Sequence, residues 1–193
     1  AQIRIGRIMT SNEVGSDKHV QKAFSGKYLG GGFAGRLVQE LRVKRALTYS
    51  AGAFVAEQKN YGRIGITTFT KNETLVPMLN AVNDVVEKVS SNPDKDNFKL
   101  SVANAKGTFL LGLESSSDFL KNLLYFDHLG RDYEEIYQYS KEIDAITPKS
   151  LAKNVKENFD LKKQVIVIVG DRSLESDLKA SGFKNLEVLD IKD

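Results

Sequence analysis

Two periods of apolar residues alternate along this chain, one of two residues and one of three to four, and the switches between them lay out its elements. Ile3 and Ile5 alternate with Gln2 and Arg4 toward Met9, the pattern of a half-buried strand. Val20, Phe24 and Tyr28 then recur every four residues, predicting a helix that Asp17 can cap and the glycines at 30 to 32 end. A second helix is predicted at once. At the helical angle per residue, Ala34, Leu37, Val38 and Leu41 share an apolar arc of about 100°, with Arg36, Gln39 and Lys44 opposite.

Tyr49 to Glu57 and Tyr61 to Thr70 are rich in aromatic and β-branched residues, and the Gln58-Lys59-Asn60 link reads as a hairpin turn. Leu75, Met78, Leu79, Val82, Val85, Val86 and Val89 keep helical spacing until Ser90-Ser91-Asn92-Pro93 stops it. Further helical patterns run through Phe98, Val102, Ala105, Phe109 and Leu113, through Phe119, Leu120, Leu123 and Leu124 to Gly130, and through Tyr133, Ile136, Ser140 and Ile143. Asp132 and Glu135 have the spacing of a capping box, and Thr147-Pro148 supplies an N-cap followed by proline at the first helical position. Leu151, Val155 and Phe159 fill that last long helix. Gln164 to Val169 is an almost uniform Val/Ile run, which predicts a strand covered on both faces or deep in a sheet, and a short helix and then Leu186 to Leu189 finish the chain.

The order of elements gives an α+β class, an antiparallel-rich sheet with a layer of helices on one face. With 193 residues, 41% of them hydrophobic, the chain can bury a sizeable core. It shows no repeat, low-complexity stretch or long linker, so residues 1–193 are expected to form a single domain. The 28 basic and 25 acidic residues are interleaved and leave a net charge of only +3, a mixed surface that argues against nucleic acid as partner. No apolar run approaches the roughly 20 residues of a membrane span. The absence of cysteine removes disulfides, cysteine-zinc sites and thiol nucleophiles. Alanine stands first and a strand is already under way at Gln2, which points to a processed chain or a fragment.

Candidate chemistry is sparse. His19 and His128 are the only histidines and neither opens a paired-ligand spacing, so no metal site is expected in this chain. His19 reads as a surface or partly buried side chain and His128 as a partner of a helix C-terminus. Gly30-Gly31-Gly32-Phe33-Ala34-Gly35 formally satisfies G-x-G-x-x-G, but a helix rather than a strand precedes it and Val55 occupies the place of the expected acid, which argues against a nucleotide. The glycines fit a tight helix-to-helix turn, which can also present backbone N–H groups to a ligand. Ser115-Ser116-Ser117 has no neighbouring base and reads as a cap; Lys95, Lys162 and Lys163 read as solvated charges at element boundaries. What stands out is Arg42, Arg45 and Tyr49: Arg42 borders the apolar arc and Arg45 falls within it in the last turn. Taken alone, two arginines that favour a helix C-terminus and a tyrosine that opens a strand explain the group as well.

Gly30-Gly31-Gly32-Phe33, Arg36-Leu37, Leu41-Arg42 and Leu47-Thr48-Tyr49-Ser50 together resemble the non-catalytic half of the pitrilysin/insulinase zinc metallopeptidases, the group that includes mitochondrial processing peptidase. The order of elements is similar over nearly the whole chain. The resemblance implies a processing-peptidase-like (LuxS-like) metallopeptidase domain, the second half of a longer peptidase or one subunit of a heterodimer. It also implies a homologous partner domain, on the same polypeptide or a separate subunit, that carries an H-x-x-E-H motif and the zinc; this chain would hold no cofactor. Arg42 and Tyr49, seven positions apart, would then touch peptide substrate, with Arg45, Gly31, Gly32 and Phe33 completing the binding surface and no catalytic residue in this chain alone. A guanidinium offers a planar fork of donors to carbonyls, and a tyrosine hydroxyl can donate to the carbonyl oxygen that gains charge as the peptide is attacked. Residues 49 to 70 could also pair with an extended peptide. Alanine stands at position 46 where many bacterial relatives have glycine, so the local turn is the point of departure. The alternative is an inactive peptidase-like scaffold or peptide-binding module, as in the pitrilysin-like core subunits of respiratory complexes. The compartment is left open; the resemblance suggests a bacterial protein, periplasmic or exported.

Overall fold

The computed structural model describes residues 1–190 except 15 and 17. Four antiparallel strands form its sheet: β1 (Gln2–Met9), β2 (Ala51–Glu57), β3 (Gly62–Phe69) and β4 (Val165–Val169), in the order β2-β3-β1-β4. Period-two alternation decides what each strand buries. Ile3, Ile5 and Met9 of β1 and Ile64 and Ile66 of β3 point into the core, while Gln2, Arg4 and Ile8 lie on the uncovered face. The β2–β3 link is a tight turn closed by the Gln58 N–H, which donates to the Tyr61 carbonyl at 2.8 Å.

The helices α1 (His19–Gly30), α2 (Leu75–Ser91), α3 (Lys95–Leu111), α4 (Ser116–His128), α5 (Glu135–Asp144), α6 (Pro148–Asn158) and α7 (Leu174–Ala180) complete the fold. α1 buries Val20, Phe24 and Tyr28 at their predicted spacing and packs on β2, α6, α5 and α3. All seven predicted apolar positions of α2 are buried. Thr147 caps α6 with a reciprocal Ser150 capping box and Pro148 in the first turn, and Leu151, Val155 and Phe159 join one hydrophobic cluster that runs from Ile3 to Leu178. Ser115 caps α4, accepting the Asp118 N–H at 3.1 Å.

Three expectations are corrected: those for β4, for Asp132 and for the second helix. β4 is an edge strand with Val165, Val167 and Val169 exposed at 67%, 53% and 52%; a run that is β-branched on both faces hides which face is covered. Asp132 makes no capping box: its carboxylate accepts the Glu134 N–H at 2.9 Å, and Glu135 turns to Arg131. α4 buries no residue fully, and Leu120 and Leu124 point outward. Leu186 to Leu189 form neither helix nor strand. The second predicted helix is a π-helix over Val38–Lys44, which buries Leu37, Val38 and Leu41 but leaves Ala34 exposed. Ala34 lies in the turn before the helix and Arg45 at its C-cap, so the buried arc is confined to Leu37, Val38 and Leu41. The proposed cap Asp17 lies outside the described residues.

Candidate functional site

The predicted site residues sit on a short path from the end of α1, through the π-helix, to the entry of β2. The path begins where α1 rests on β2: a Cβ at Gly30 would run into the Ala53 amide, so only glycine allows this approach. Gly31 caps the helix by donating its N–H to the Lys27 carbonyl at 2.7 Å, and Gly32 reverses the chain at φ 71°, a conformation that glycine adopts without a Cβ penalty. The N–H groups of Gly32, Phe33 and Ala34 find no hydrogen-bond partner among the described residues. The turn thus presents backbone donors beside an apolar ring, since Phe33 is 64% exposed.

Arg42 comes back over this turn from the π-helix. Its guanidinium carbon lies 5.7 Å from the centre of the Phe33 ring, within range of a cation–π contact. Gln39 fixes the same residue from the other side by donating its side-chain N–H to the Phe33 carbonyl at 2.7 Å. Arg42 forms no ion pair among the described residues, so its donors remain available. The acid of the π-helix, Glu40, is held instead by Lys44 at 2.7 Å and Arg36 at 3.4 Å. Burial pushes the Glu40 carboxyl up, but the Lys44 hydrogen bond and the surrounding positive charges outweigh it and leave the group below its usual range. Glu40 stays charged and engaged with Lys44 and Arg36.

The π-helix closes with the Leu47 N–H donating to the Leu41 carbonyl at 2.8 Å, across Ala46 at φ 51°. This is the position singled out in the sequence. An alanine there adopts a left-handed conformation that disfavours a Cβ. Tyr49 follows, 80% exposed, its hydroxyl without a hydrogen-bond partner among the described residues. Its backbone is fixed on both sides. Thr70 donates its hydroxyl to the Leu47 carbonyl at 2.7 Å, buried Thr48 accepts the Ser50 N–H at 3.1 Å, and Thr68 donates to the Ser50 carbonyl at 3.0 Å.

The structure therefore gathers Gly31, Gly32, Phe33 and Arg42 at one turn, with Tyr49 at the end of the same path. Arg45 is drawn away: its guanidinium pairs with Asp84 of α2 at 3.1 Å. Gln39, Thr48, Thr68 and Thr70 are positioning residues that pattern reading did not find, because a threonine in a strand or a glutamine on a helix carries no periodic signal of what its side chain will hold.

The described residues contain no group of three or more His, Cys, Asp or Glu placed to hold a metal ion, so the residues present do not fit zinc. His128 ends α4 and contacts Gln58, and His19 is engaged by Arg131. That second histidine belongs to an ion cluster in which Arg131 meets Glu135 at 2.7 Å and Glu57 at 3.6 Å. The cluster closes the polar end of a cavity of about 160 Å³ walled by Val55, Phe109, Tyr125 and Tyr139. No predicted site residue lines it.

Residues 18–105 match the sequence family described as the peptidase M16 inactive domain, and the glycine turn, Arg42 and Tyr49 all fall within that match. No curated protein matches the sequence. Among solved structures, the chain is similar to a peptidase M16 inactive domain from Pseudomonas fluorescens, with 19% identity and a TM-score of 0.75 over 86% of this chain and 39% of that one. A protease from Helicobacter pylori gives 18% identity and a TM-score of 0.74 over 86% of this chain and 40% of that one. The inactive peptidase domain of a proposed zinc protease from Bordetella parapertussis is 12% identical, with a TM-score of 0.68 over 89% of this chain and 95% of that one. The shared feature at these identities is the fold. This chain spans about two fifths of the length of the first two.

Proposed function

We propose that this chain, whose residues 18–105 match the peptidase M16 inactive domain, is the substrate-holding half of a zinc endopeptidase. In this reading residues 1–193 are one domain, and a homologous companion domain bears the metal and the H-x-x-E-H motif, on the same polypeptide or a second subunit. The greater length of the Pseudomonas and Helicobacter chains is consistent with such a companion.

One observation carries the proposal: Arg42 and Tyr49 present donors that no group among the described residues consumes, on backbone held by hydrogen bonds from Thr70 and Thr68. Phe33 keeps the Arg42 guanidinium over the turn, where its fork of N–H groups can grip a peptide carbonyl. Tyr49 can donate to the carbonyl oxygen of the bond being cleaved as that oxygen gains charge. The free N–H groups of Gly32 and Phe33 add further donors along the same edge. Metal chemistry would belong to the companion domain; this chain would bind, orient and supply hydrogen bonds.

A second reading, a peptidase-like scaffold or peptide-binding module, draws support from the inactive-domain match. Zinc content and turnover of a quenched peptide library by the complete assembly separate the two. Bound zinc with turnover supports the endopeptidase. An intact assembly with neither would move the assignment to the scaffold.

A further inference from the structure

α4 lies over the core without sealing it. Asn122, Tyr125, Phe126 and Leu129 stand at i, i+3, i+4 and i+7, one face of a helix, yet none of them is fully buried. That face lines the cavity of about 160 Å³ instead of packing solidly. Across from it, the rings of Phe109 and Tyr139 are stacked with centres 4.0 Å apart and planes 21° from parallel, which makes one wall a flat aromatic surface. Tyr125, 46% exposed, stands where the cavity meets solvent. An apolar cavity of roughly 150 Å³ accepts a benzene ring. This one has that capacity and adds polar groups.

Those groups decide which ring fits. The Arg131 guanidinium, its side chain 7% exposed, is already shared among Glu135 at 2.7 Å, Glu57 at 3.6 Å and His19. An added anion would face the Glu57 carboxylate and an added cation would face Arg131, so a charged ligand of either sign gains little. Asn122 donates its side-chain N–H groups to the Gly112 carbonyl at 3.1 Å and the Asp118 carbonyl at 2.9 Å, which leaves its amide oxygen as an acceptor. The Tyr125 hydroxyl has no hydrogen-bond partner among the described residues. Burial, and then the nearby Glu57 charge, hold its pKa above the usual tyrosine value, so it stays protonated and can donate. One acceptor and one donor thus stand at i and i+3 on the same face of α4. A hydroxyl, which donates once and also accepts, is their complement.

We infer that this cavity binds a phenolic ring, free or as the side chain of a tyrosine, with the ring against Phe109 and Tyr139 and the hydroxyl toward Asn122 and Tyr125. Binding here does not depend on the role proposed for Arg42 and Tyr49, neither of which lines the cavity.

Titration of the chain with phenol, followed by saturation-transfer NMR and calorimetry, tests this. Phenol should bind saturably with a Kd on the order of 1 mM, as suits so small a ligand. Benzoate and benzylammonium should bind at least about tenfold more weakly, because each brings an uncompensated charge to the polar end. Ala23→Leu, which adds side-chain volume to the cavity wall, should leave circular dichroism unchanged and abolish binding. Tyr125→Phe, at a half-exposed position, should weaken phenol by about fivefold through one lost hydrogen bond and leave toluene binding unchanged. Displacement of phenol by N-acetyl-tyrosinamide would identify the ligand as a tyrosine side chain, and phenol that resists displacement would identify it as a free phenolic molecule. No saturable phenol binding, phenol binding that ignores both Ala23→Leu and Tyr125→Phe, or benzoate that binds as tightly as phenol would overturn the inference.

Discussion

The guanidinium of Arg42 stands over the ring of Phe33 at 5.7 Å, so the charged residue predicted to touch substrate is positioned by another residue of the same predicted surface. Their separation of nine positions is bridged by the chain reversal at Gly32 and by the π-helix that follows. An exposed arginine without such a contact would distribute among many rotamers, and ordering it on binding would cost affinity.

Replacing Phe33 with Leu keeps an apolar side chain but removes the ring face. Peptide affinity should fall by a few-fold, in line with a cation–π contact of about 0.5–1 kcal/mol at an exposed site, while the unfolding midpoint stays unchanged. Isothermal titration with a non-cleavable peptide and urea unfolding of the same variant read the two effects separately.

Ala46→Gly should stabilise the protein by roughly 1 kcal/mol, because alanine occupies a left-handed conformation at φ 51° that glycine adopts without a Cβ penalty. Part of that gain is offset by the freedom glycine adds to the unfolded chain. Urea unfolding should show a higher midpoint with an unchanged slope.

The Thr70→Val variant leaves the Leu47 carbonyl without its hydroxyl donor while preserving shape. About 1 kcal/mol of stability should be lost. If Tyr49 acts on substrate, turnover of the complete assembly should also fall, since one of the ties beside it is gone. Loss of stability with unaltered turnover would confine Thr70 to a structural role.

These cases mark what was legible in the sequence. The strands, the hairpin turn and the long helices followed from periodicity because one face of each is buried and the other is wet, as in β1 and α2. β4 escaped that logic, as its exposed valines and its half-buried Ile166 and Ile168 are equally apolar. The π-helix escaped it too: its wider turn, followed by the Leu47 N–H bonding the Leu41 carbonyl across Ala46, leaves no apolar period that distinguishes it from an α-helix. Arg42, Tyr49 and the glycines were visible through their resemblance to a family. The threonines that hold Tyr49 and the Asp84 carboxylate that takes Arg45 were not, since both depend on segments remote in sequence.

Acid should weaken the junction between β1, α1 and α6. Bidentate hydrogen bonds from Arg7, at 2.7 and 3.0 Å, hold the Glu13 carboxyl down to about 2 from an ordinary 4.5. Because the folded value is depressed, this stabilisation is complete above the unfolded value near 4.5 and is lost as pH falls toward about 2. Glu13→Gln should be less stable than wild type at neutral pH, and the difference should shrink across that window. Urea midpoints measured from pH 7 to pH 2.5 would show it.

The central claim is that Arg42 and Tyr49 reach the scissile region of a bound peptide, and steady-state cleavage by the complete assembly tests it most directly. Tyr49→Phe should lower kcat by about 100-fold, and Arg42→Ala should lower kcat/KM comparably, with zinc content and thermal stability unchanged. Cleavage that proceeds at the wild-type rate in the double variant would contradict the account.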